Sequence, residues 1–436
     1  MRLDAPVLLY GAGREGRSTR AFLKARAPDL KIYITVDNGP HDIEDAEFIA
    51  PGDVEAAIGA HRFATIVKSP GVSRYRPIFL LAREAGVAVT SNLNLWGEYY
   101  REGRTVVAIT GTKGKSTTAT LTHLMLTSAG LDAGLAGNVG LAPLEIADKH
   151  QIVVFELSSY QTADMAFSPD IAAITNLTPE HTDWHRDLDR YFADKLNLID
   201  RDAPFPVALG PQAQTNALVL AALRDMRRTL PPLAPFMDDR LVAAVKRSRL
   251  KGDHNLDNAR LAAQLALAAG AGLDGILKGI AAFVPLPHRL EEHRIGELTI
   301  VNDSISTTPE ATKAALAAYG GRRIALIAGG HERQQDYHEL ATLLAPRGVT
   351  VLVTLPVTGP RLATAAAAES AQIDIIEAQT LDEAMHALAT RRDRFDTLIL
   401  SPGAPSYGQL ERPGVVFSSF EQRGTAFVRI AEELFA

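Results

Sequence analysis

Short apolar runs alternate with helix-compatible stretches along almost the whole of this 436-residue chain. The runs are rich in β-branched residues, and the sequence between them is long enough for a helix. Strands that alternate with helices form βαβ units, in which neighbouring strands are parallel. The pattern therefore predicts an α/β protein with mostly parallel sheets. We predict strands at residues 7–10, 31–36, 65–68, 106–110, 152–156, 171–175, 299–302, 323–328, 349–355, 373–376 and 397–401.

A chain of this length is expected to form several domains rather than one core. One boundary is predicted near residues 91–96, before a new strand, and another near residues 285–287, where prolines interrupt a helix. The predicted domains are residues 1–93, 94–285 and 286–436.

Composition excludes several classes of protein. The net charge of −6 provides no overall basic field for nucleic acid, and the absence of cysteine excludes disulfides and thiolate chemistry. No apolar run is long enough to span a membrane, and the first residues do not resemble a signal peptide. These features predict a cytoplasmic protein that binds neither nucleic acid nor membrane.

The strongest local pattern begins with the strand at residues 106–110, which a glycine-bearing turn and a helix over 117–129 follow. Backbone N–H groups and the positive end of the helix dipole converge at such a turn and bind anions. Lys115 could reach the outer phosphates of a nucleotide, and the Ser116 hydroxyl could ligate magnesium. The match to the standard phosphate loop is imperfect because Ile109 occupies the place of its first glycine. The alternative is an ordinary turn between strand and helix.

Further polar residues follow the next strands. Glu156 ends an apolar run, where a carboxylate could bind Mg²⁺; the alternative is a solvated acid at a strand end. His181 lies in a polar loop and could ligate a metal, although a lone histidine is more often a satisfied polar group. Lys195 is, by pattern alone, one more helical lysine. Asn255 and Asn258 share a helix face and could contact a purine, unless Asp253 or Asn255 simply caps that helix.

The N-terminal domain opens with a GxGxxG turn between a strand and a helix, and Asp37 follows at the end of the next strand. This pattern indicates a Rossmann-like dinucleotide site, or the same turn used for a nucleotide sugar or for structure alone. A second turn, at residues 69–71, also ends a strand. In the C-terminal domain, polar clusters at 287–290, 301–310, 329–333 and 401–406 are expected at one edge of a second Rossmann-like sheet.

The order of these motifs resembles the Mur ligase family, whose members are ATP-dependent ligases that build the peptidoglycan stem peptide. The resemblance covers essentially the whole chain. It lies in six ordered segments, at residues 111–117, 156–161, 176–181, 254–258, 287–289 and 302–304. The short first domain and residues 421–424 are most similar to the glutamate-adding branch, which acts on UDP-N-acetylmuramoyl-L-alanine. The resemblance implies a Rossmann-like N-terminal domain for the UDP substrate, a central ATP-binding domain with a P-loop-type sheet, and a Rossmann-like C-terminal domain for the amino acid.

The family mechanism implies a role for each matching residue. Catalysis would involve Lys115, Asn138, His181 and Lys195, through an acyl phosphate formed from ATP. Two magnesium ions would be held by Ser116, Glu156, His181 and Lys195, with Lys195 as a carbamate. ATP would contact Gly111, Thr112, Lys113, Gly114, Lys115, Ser116, Thr117, Asn255, Asn258, Arg289 and Asp303. The UDP substrate would contact Gly13, Arg14, Glu15, Gly16, Asp37, Ser69, Gly71 and Asn138.

Glutamate would contact Arg333, Ser406 and Phe420. This region departs from the D-glutamate-adding pattern: Ile305 follows the Asp-Ser pair instead of lysine, Arg333 replaces a pocket lysine, and residues 411–414 are inserted. Arginine is not equivalent to lysine at a carboxylate. The departures favour addition of L-glutamate, with D-glutamate as the close alternative, by an enzyme expected to be a monomer. Other hypotheses are an NAD-dependent dehydrogenase, a non-catalytic nucleotide-binding homologue and another amino-acid ligase, such as folylpolyglutamate synthase.

Overall fold

In the computed structural model, the protein is described over residues 5–37, 43–179, 182–200, 205–225, 233–250, 252–284, 287–332 and 334–436. The chain forms two compact units, Met1–Phe283 and Val284–Ala436. The first unit contains two separate sheets, and the second unit contains a third. The α/β class is therefore confirmed, whereas the domain boundaries at 93/94 and 285/286 stay predictions.

The first sheet consists of five parallel strands in the order β3-β2-β1-β4-β5. The strands are β1 (Val7–Tyr10), β2 (Ile32–Thr35), β3 (Glu47–Phe48), β4 (Thr65–Lys68) and β5 (Ala88–Ser91). The helices are α1 (Arg14–Arg26), α2 (Val54–Gly59), α3 (Pro77–Glu84) and α4 (Asn92–Tyr100), with a 3₁₀ turn at Pro51–Asp53. The sequence did not indicate β3 or β5, because β3 is an exposed strand of two residues and β5 is a partly buried strand of four, so neither forms an apolar run.

The second sheet also consists of five parallel strands, in the order β10-β9-β6-β8-β7. The strands are β6 (Thr105–Thr110), β7 (Ala133–Gly137), β8 (Ile152–Glu156), β9 (Ile171–Ile174) and β10 (Val207–Leu209). The helices are α5 (Lys115–Ser128), α6 (Pro143–Ile146), α7 (Ser159–Asp164), α8 (Thr182–His185), α9 (Leu188–Leu196), α10 (Pro211–Thr215), α11 (Ala217–Asp225), α12 (Asp239–Arg247), α13 (Asp253–Ala268) and α14 (Leu273–Ala281).

Both faces of the second sheet are buried. Along β6, Val107 and Ile109 join one hydrophobic core, while Val106 and Ala108 join another, as alternation along a strand requires. The second core continues into the first sheet, where it includes Leu9. The two sheets of this unit therefore share one hydrophobic core.

The second unit contains a six-stranded sheet in the order β11-β12-β16-β13-β14-β15, in which β11 is antiparallel to β12 and the other pairs are parallel. Its strands are β11 (Glu291–Ile295), β12 (Leu298–Asn302), β13 (Ile324–Ala328), β14 (Val349–Thr354), β15 (Asp374–Glu377) and β16 (Thr397–Leu400), and β17 (Leu410–Arg412) and β18 (Val415–Val416) form a separate hairpin. The helices are α15 (Pro309–Ala318), α16 (His338–Leu344), α17 (Gly359–Glu369), α18 (Leu381–Ala389) and α19 (Phe420–Phe435), with 3₁₀ turns at Ala345–Arg347 and Arg392–Arg394.

No helix in the described ranges combines the length and the apolar composition needed to cross a bilayer.

Candidate active site

The turn between β6 and α5 has the backbone of a phosphate-binding loop. Gly111 and Gly114 adopt φ values of +144° and +82°, which L side chains rarely adopt. A Cβ atom on Gly111 would lie 1.9 Å from Thr175 Oγ1, so glycine is required there. Helix α5 begins at Lys115, two residues earlier than predicted. Lys115 and Ser116 therefore lie in the first helical turn, where N–H groups have no intrahelical acceptor and can bind an anion.

The two residues that follow β9 hold this loop in place through hydrogen bonds. Asn176 accepts hydrogen bonds from the N–H groups of Thr112 and Lys113, through its carbonyl oxygen at 3.0 Å and its Oδ1 at 2.8 Å. Thr175 Oγ1 donates to the Lys113 carbonyl at 2.6 Å. These bonds fix the shape of the loop.

Lys195 lies against the same loop. Its Nζ atom is buried and donates to the Gly111 carbonyl over 2.7 Å. The neighbouring Tyr191, also on α9, places its hydroxyl 3.0 Å from Thr112 Oγ1. Lys115 Nζ donates to the Thr112 carbonyl at 2.9 Å. The two lysines that family resemblance assigns to catalysis therefore both hydrogen-bond to backbone carbonyls of the phosphate loop.

Glu156 is fully buried at the end of β8, directly beside β6. This burial excludes the alternative of a solvated acid. Asn138 Nδ2 lies 3.4 and 3.5 Å from the two carboxylate oxygens, and the Asn138 N–H donates to the Glu156 carbonyl at 2.8 Å. A buried carboxylate beside a phosphate loop suits Mg²⁺, which prefers one or two carboxylates together with phosphate oxygens.

The structure leaves the second proposed metal site incomplete. His181 lies outside the described residues, and within the described part of the chain no group of three histidine, aspartate or glutamate side chains is arranged to hold a metal. The other three candidate ligands are described and lie close to one edge of the second sheet. Ser116 and Glu156 follow or end β6 and β8 at that edge, and Lys195 lies on α9, which contacts it.

Asn255 and Asn258 lie on one face of α13, as predicted. Asn258 Nδ2 donates to Asn255 Oδ1 at 3.0 Å, and a Cβ atom on Gly114 would lie 2.4 Å from Asn258 Oδ1. The alternative that Asp253 or Asn255 caps this helix is wrong, because Gly252 is the N-cap residue and no side chain caps the helix. Both asparagines are therefore located beside the phosphate loop.

The GxGxxG turn of the first sheet is tightly packed. A Cβ atom on Gly16 would lie 2.2 Å from the Gly11 carbonyl oxygen, and Gly13 is the N-cap of α1. The Arg14 side chain points toward the second sheet, where it donates to the Gly137 carbonyl, to the Gly140 carbonyl at 2.7 Å and to the Asn138 carbonyl at 3.3 Å. Arg14 therefore connects the first sheet to the turn after β7.

Glu15 is also turned toward the second sheet. Gln161 Nε2 donates to one carboxylate oxygen of Glu15 at 2.7 Å, and the other oxygen has no hydrogen-bond partner among the described residues. Burial raises the pKa of Glu15 to about 7. Nearby, the buried Lys68 Nζ lies 2.5 Å from Asp164 Oδ2, and burial lowers the pKa of this lysine. The charges between the two sheets are therefore buried and mostly paired.

Asp37 is paired within the first sheet. Arg76 donates to its two carboxylate oxygens at 2.7 and 2.6 Å, and the Tyr10 hydroxyl donates at 2.9 Å. The hydrogen bonds from Arg76 lower the pKa of Asp37. Ser69 and Gly71 follow β4, and a Cβ atom on Gly11 would lie 2.6 Å from Ser69 Oγ. These residues share the carboxyl edge of the sheet, where ligands of open α/β sheets bind.

Sequence reasoning assigned no role to a buried chain of hydrogen bonds next to Lys195. His185 Nδ1 lies 2.6 Å from Asp194 Oδ2, and His185 Nε2 lies 2.9 Å from Ser159 Oγ. The Tyr75 hydroxyl, from the loop after β4, donates to Asp194 Oδ1 at 2.7 Å. The adjacency of Asp194 to Lys195 is the one sequence signal that pointed to this chain.

In the second unit, polar residues gather at one edge of the sheet, as predicted. Asp303 is buried after β12 and accepts from Ser306 Oγ at 2.5 Å, Ser401 Oγ at 2.7 Å and the Leu290 N–H at 3.2 Å. Burial raises the pKa of Asp303 to about 6. The segment at 287–290 reaches this edge because β11 is antiparallel to β12, which the sequence did not indicate. The assignment of Arg289 and Asp303 to ATP stays a prediction.

The residues predicted to bind glutamate lie partly at that edge. Ser406 is buried in the loop after β16, and its carbonyl accepts from the Gln409 N–H at 3.1 Å. Phe420 begins α19, and its carbonyl accepts from Ser304 Oγ at 2.8 Å. Arg333 lies outside the described residues.

The glycine loop at the N-terminus of α5, with a buried carboxylate at the end of the adjacent strand, defines a nucleotide-phosphate-binding enzyme. Residues 109–209 match the Mur ligase middle domain, and residues 288–404 match the Mur ligase glutamate ligase domain. The chain belongs to the Mur ligase family, whose members are ATP-dependent ligases. Its GxGxxG turn is therefore part of a ligase rather than of a dehydrogenase.

Curated relatives match nearly the full length of the chain. The UDP-N-acetylmuramoyl-L-alanine–L-glutamate ligase of Xanthomonas euvesicatoria pv. vesicatoria is 35% identical, over 98% of this chain and 94% of the relative. The relative of the same name from a Micromonospora species is 34% identical, over 98% and 96%. Among solved structures, the UDP-N-acetylmuramate–alanine ligase of Thermotoga maritima has a TM-score of 0.62 at 17% identity and covers 98% of this chain and 99% of its own. That last likeness shows the shared fold alone.

Proposed function

We propose that this protein joins L-glutamate to UDP-N-acetylmuramoyl-L-alanine and converts ATP to ADP and phosphate. The curated relatives that share a third of its residues carry the name of this activity. The departures at Ile305, Arg333 and residues 411–414 also favour the L-glutamate variant over the D-glutamate one. We further propose that the enzyme works as a monomer in the cytoplasm.

The observation that carries the proposal is the meeting of Gly111, Lys195 and Glu156 at one edge of the second sheet. Gly111 opens the phosphate loop, Lys195 Nζ contacts its carbonyl at 2.7 Å, and Glu156 ends the adjacent strand. A transferred phosphoryl group needs an anion cradle and cations to balance its charge. In the proposed reaction, loop N–H groups of residues 111–117 hold the phosphates, and Lys115 turns from the Thr112 carbonyl to the β- and γ-phosphates.

We propose that Ser116 and Glu156 hold one magnesium ion, and that His181 and Lys195 hold a second. Magnesium would supply positive charge to the phosphate oxygens. An unmodified lysine is a poor magnesium ligand because it is a cation. Addition of CO₂ to the Lys195 amine, with loss of a proton, would form a carbamate whose oxygens can bind the metal.

The reaction would proceed in two displacements. The carboxylate of the L-alanyl group attacks the γ-phosphorus of ATP, the bond to ADP breaks, and an acyl phosphate forms. The amine of glutamate then attacks the acyl carbon, phosphate leaves, and the amine loses a proton. We assign orientation of the acyl group to Asn138, which is exposed and follows β7 at the same sheet edge. Positioning and charge stabilisation supply most of the catalysis.

We place the UDP group at the carboxyl edge of the first sheet. Gly13, Gly16, Asp37, Ser69 and Gly71 would line its site. Gly13, Asp37, Ser69 and Gly71 follow β1, β2 or β4, and Gly16 lies in the first turn of α1. Arg14 and Glu15 would contribute to the same site. Their side chains bond to the Gly140 carbonyl and to Gln161 of α7, so they would also hold the shape of the turn.

The test is phosphate release from ATP in the presence of UDP-N-acetylmuramoyl-L-alanine and either glutamate enantiomer. We expect release that depends on both substrates, and a product whose mass equals the two substrates minus water. L-glutamate should be strongly preferred. Equal rates with both enantiomers would contradict the L-specific assignment, and release without amide product would contradict ligation.

A further inference from the structure

Arg423 is a fully buried arginine on α19 of the second unit, with an exposed fraction of 0%. Its guanidinium donates to Ser304 Oγ at 3.0 Å, to the Ser304 carbonyl at 2.8 Å and to the Ala404 carbonyl at 3.3 Å. A fourth bond goes to Gln409 Oε1. Every acceptor is an uncharged oxygen, so four of the five N–H donors of the guanidinium have hydrogen bonds while its positive charge has no counter-charge among them.

Buried cations are rarely left without an anion, because removal of the charge from water is costly unless a counter-charge offsets the cost. Within the described part of the chain, no acidic side chain forms an ion pair with Arg423. Burial alone lowers its pKa to about 9, which leaves the guanidinium protonated at neutral pH. The second unit therefore carries one positive charge in its interior that its own described side chains do not neutralise.

This charge lies among the loops at the carboxyl edge of the sheet. Ser304 follows β12 and Ala404 follows β16. Gln409, the third partner, donates to the Gly329 carbonyl at 2.9 Å and to the Pro356 carbonyl at 3.3 Å, which follow β13 and β14. Gln409 also fixes the Ser406 loop through its N–H. The guanidinium of Arg423 thus holds the loops after β12 and β16 directly, and the loops after β13 and β14 through the side-chain amide of Gln409.

We propose that Arg423 is a positioning residue that makes this loop cluster selective for an amino acid with an additional, side-chain carboxylate. This proposal rests on the proposed function. It identifies the residue that makes the site prefer an acidic amino acid. The buried guanidinium of Arg423 fixes Ser304, Ala404 and Gln409, and its uncompensated charge makes this loop cluster positive in a medium of low dielectric constant. A substrate with net charge −1 would supply the missing anion, whereas a neutral isostere would not.

The test compares glutamate with glutamine, which differ by one charge at nearly equal size, in the full-length enzyme. Arg423→Met removes the charge and Arg423→Lys keeps it while losing the fork. Arg429→Met is the matched control, because Arg429 lies on the same helix but is exposed and ion-paired with Glu411 and Glu433. For each variant, kcat/KM is measured with both amino acids.

We expect Arg423→Met to reduce the preference for glutamate over glutamine by about tenfold or more. Arg423→Lys should lower kcat yet keep the preference within about threefold, and Arg429→Met should change neither value. Equal losses with both amino acids in Arg423→Met would show a structural role only and would overturn the proposal. So would loss of the preference in Arg423→Lys, which serves as the deciding variant if the methionine variant does not fold.

Salt provides a test that needs no variant. Salt screens a buried charge far less than an exposed one. The preference of the wild-type enzyme for glutamate over glutamine should therefore persist from about 0.05 to about 0.5 M KCl. A preference that collapses at high salt would contradict a buried origin. Failure of the proposed function is recognised separately, because the wild-type enzyme would then form no product with L-glutamate at all.

Discussion

Lys195 Nζ donates a 2.7 Å hydrogen bond to the carbonyl oxygen of Gly111, although the two residues are 84 positions apart in the chain. Helix α9 thereby reaches the first residue of the phosphate loop. Any group that binds the loop is consequently within reach of the Lys195 side chain. The hydrogen bond distinguishes Lys195 from other helical lysines, which the sequence pattern alone does not.

Lys195→Ala should be nearly inactive in ATP-dependent phosphate release. The substitution removes both the bond to Gly111 and the proposed carbamate. If a carbamate oxygen binds metal, acetate or propionate at high concentration should restore part of the activity to the alanine variant. Lys195→Arg, which cannot be carbamylated, should stay inactive under the same conditions. Full activity in either variant would contradict the metal assignment.

Lys115→Ala should lower phosphate release by about a thousandfold, a loss typical of removing a group that stabilises charge in the transition state. The measurement is kcat/KM for ATP with saturating second substrates. Lys149→Ala is a suitable control because Lys149 is exposed and donates only to the Glu145 carbonyl within its own turn. Wild-type turnover in Lys115→Ala would refute the phosphate role.

Tyr75→Phe should destabilise the first unit by about 1–2 kcal/mol, because it removes a hydrogen bond to the Asp194 carboxylate. Both tryptophans of the chain, Trp96 and Trp184, lie in this unit, so their fluorescence reports its unfolding. Denaturant titrations of the variant and the wild type measure the difference. Tyr100→Phe loses only an exposed bond from Arg26 and should cost less than about 0.5 kcal/mol. An equal loss of unfolding free energy in the two variants would show that the buried hydrogen bond of Tyr75 to Asp194 does not contribute more to stability than an exposed one.

Glu15→Gln should change how stability depends on pH. The pKa of Glu15 is about 7 in the folded state against 4.5 as its ordinary value, so the folded protein retains a proton that the unfolded chain releases between these values. Stability from this group is therefore greatest below pH 4.5, falls as pH rises, and is fully lost above pH 7.

Glutamine keeps the acceptor for Gln161 and carries no charge, so the variant should match the wild type below about pH 4, where Glu15 is protonated in both the folded and the unfolded state. Near pH 8 it should be more stable by up to about 3 kcal/mol. Tryptophan-monitored unfolding across this range measures the two slopes. Parallel pH profiles would show that Glu15 does not titrate with the predicted shift.

The sequence could predict those features of the site that depend on residues close together in the chain. The strand, glycine turn and helix around Gly111 are adjacent in the chain, and the constraints on φ at Gly111 and Gly114 act within a few residues. The same holds for the shared helix face of Asn255 and Asn258. Family resemblance added functional roles, and the family itself is confirmed.

Long-range packing is what the sequence could not predict. Strand β11 contains mostly charged residues and has no apolar run, so its antiparallel pairing with β12 was missed. The sequence also did not indicate that the guanidinium of Arg14 bonds to carbonyls more than 120 positions away. Arg423 belongs to the segment 421–424 that the family resemblance singled out, but no local sequence pattern indicates that its guanidinium is buried.

Several polar groups of residues 1–92 have partners beyond the predicted domain boundary at 93/94. Arg14 bonds to Gly140, Glu15 to Gln161, and Asn92 Oδ1 accepts from the Leu144 N–H at 3.0 Å. In a chimera joined at this point, a relative with no donor at position 161, or with a different backbone path over 137–144, would leave these groups without their partners. Recombination among such ligases is therefore expected to preserve residues 1–283 as one inherited block, and productive crossovers should concentrate near residue 284, where the second unit begins.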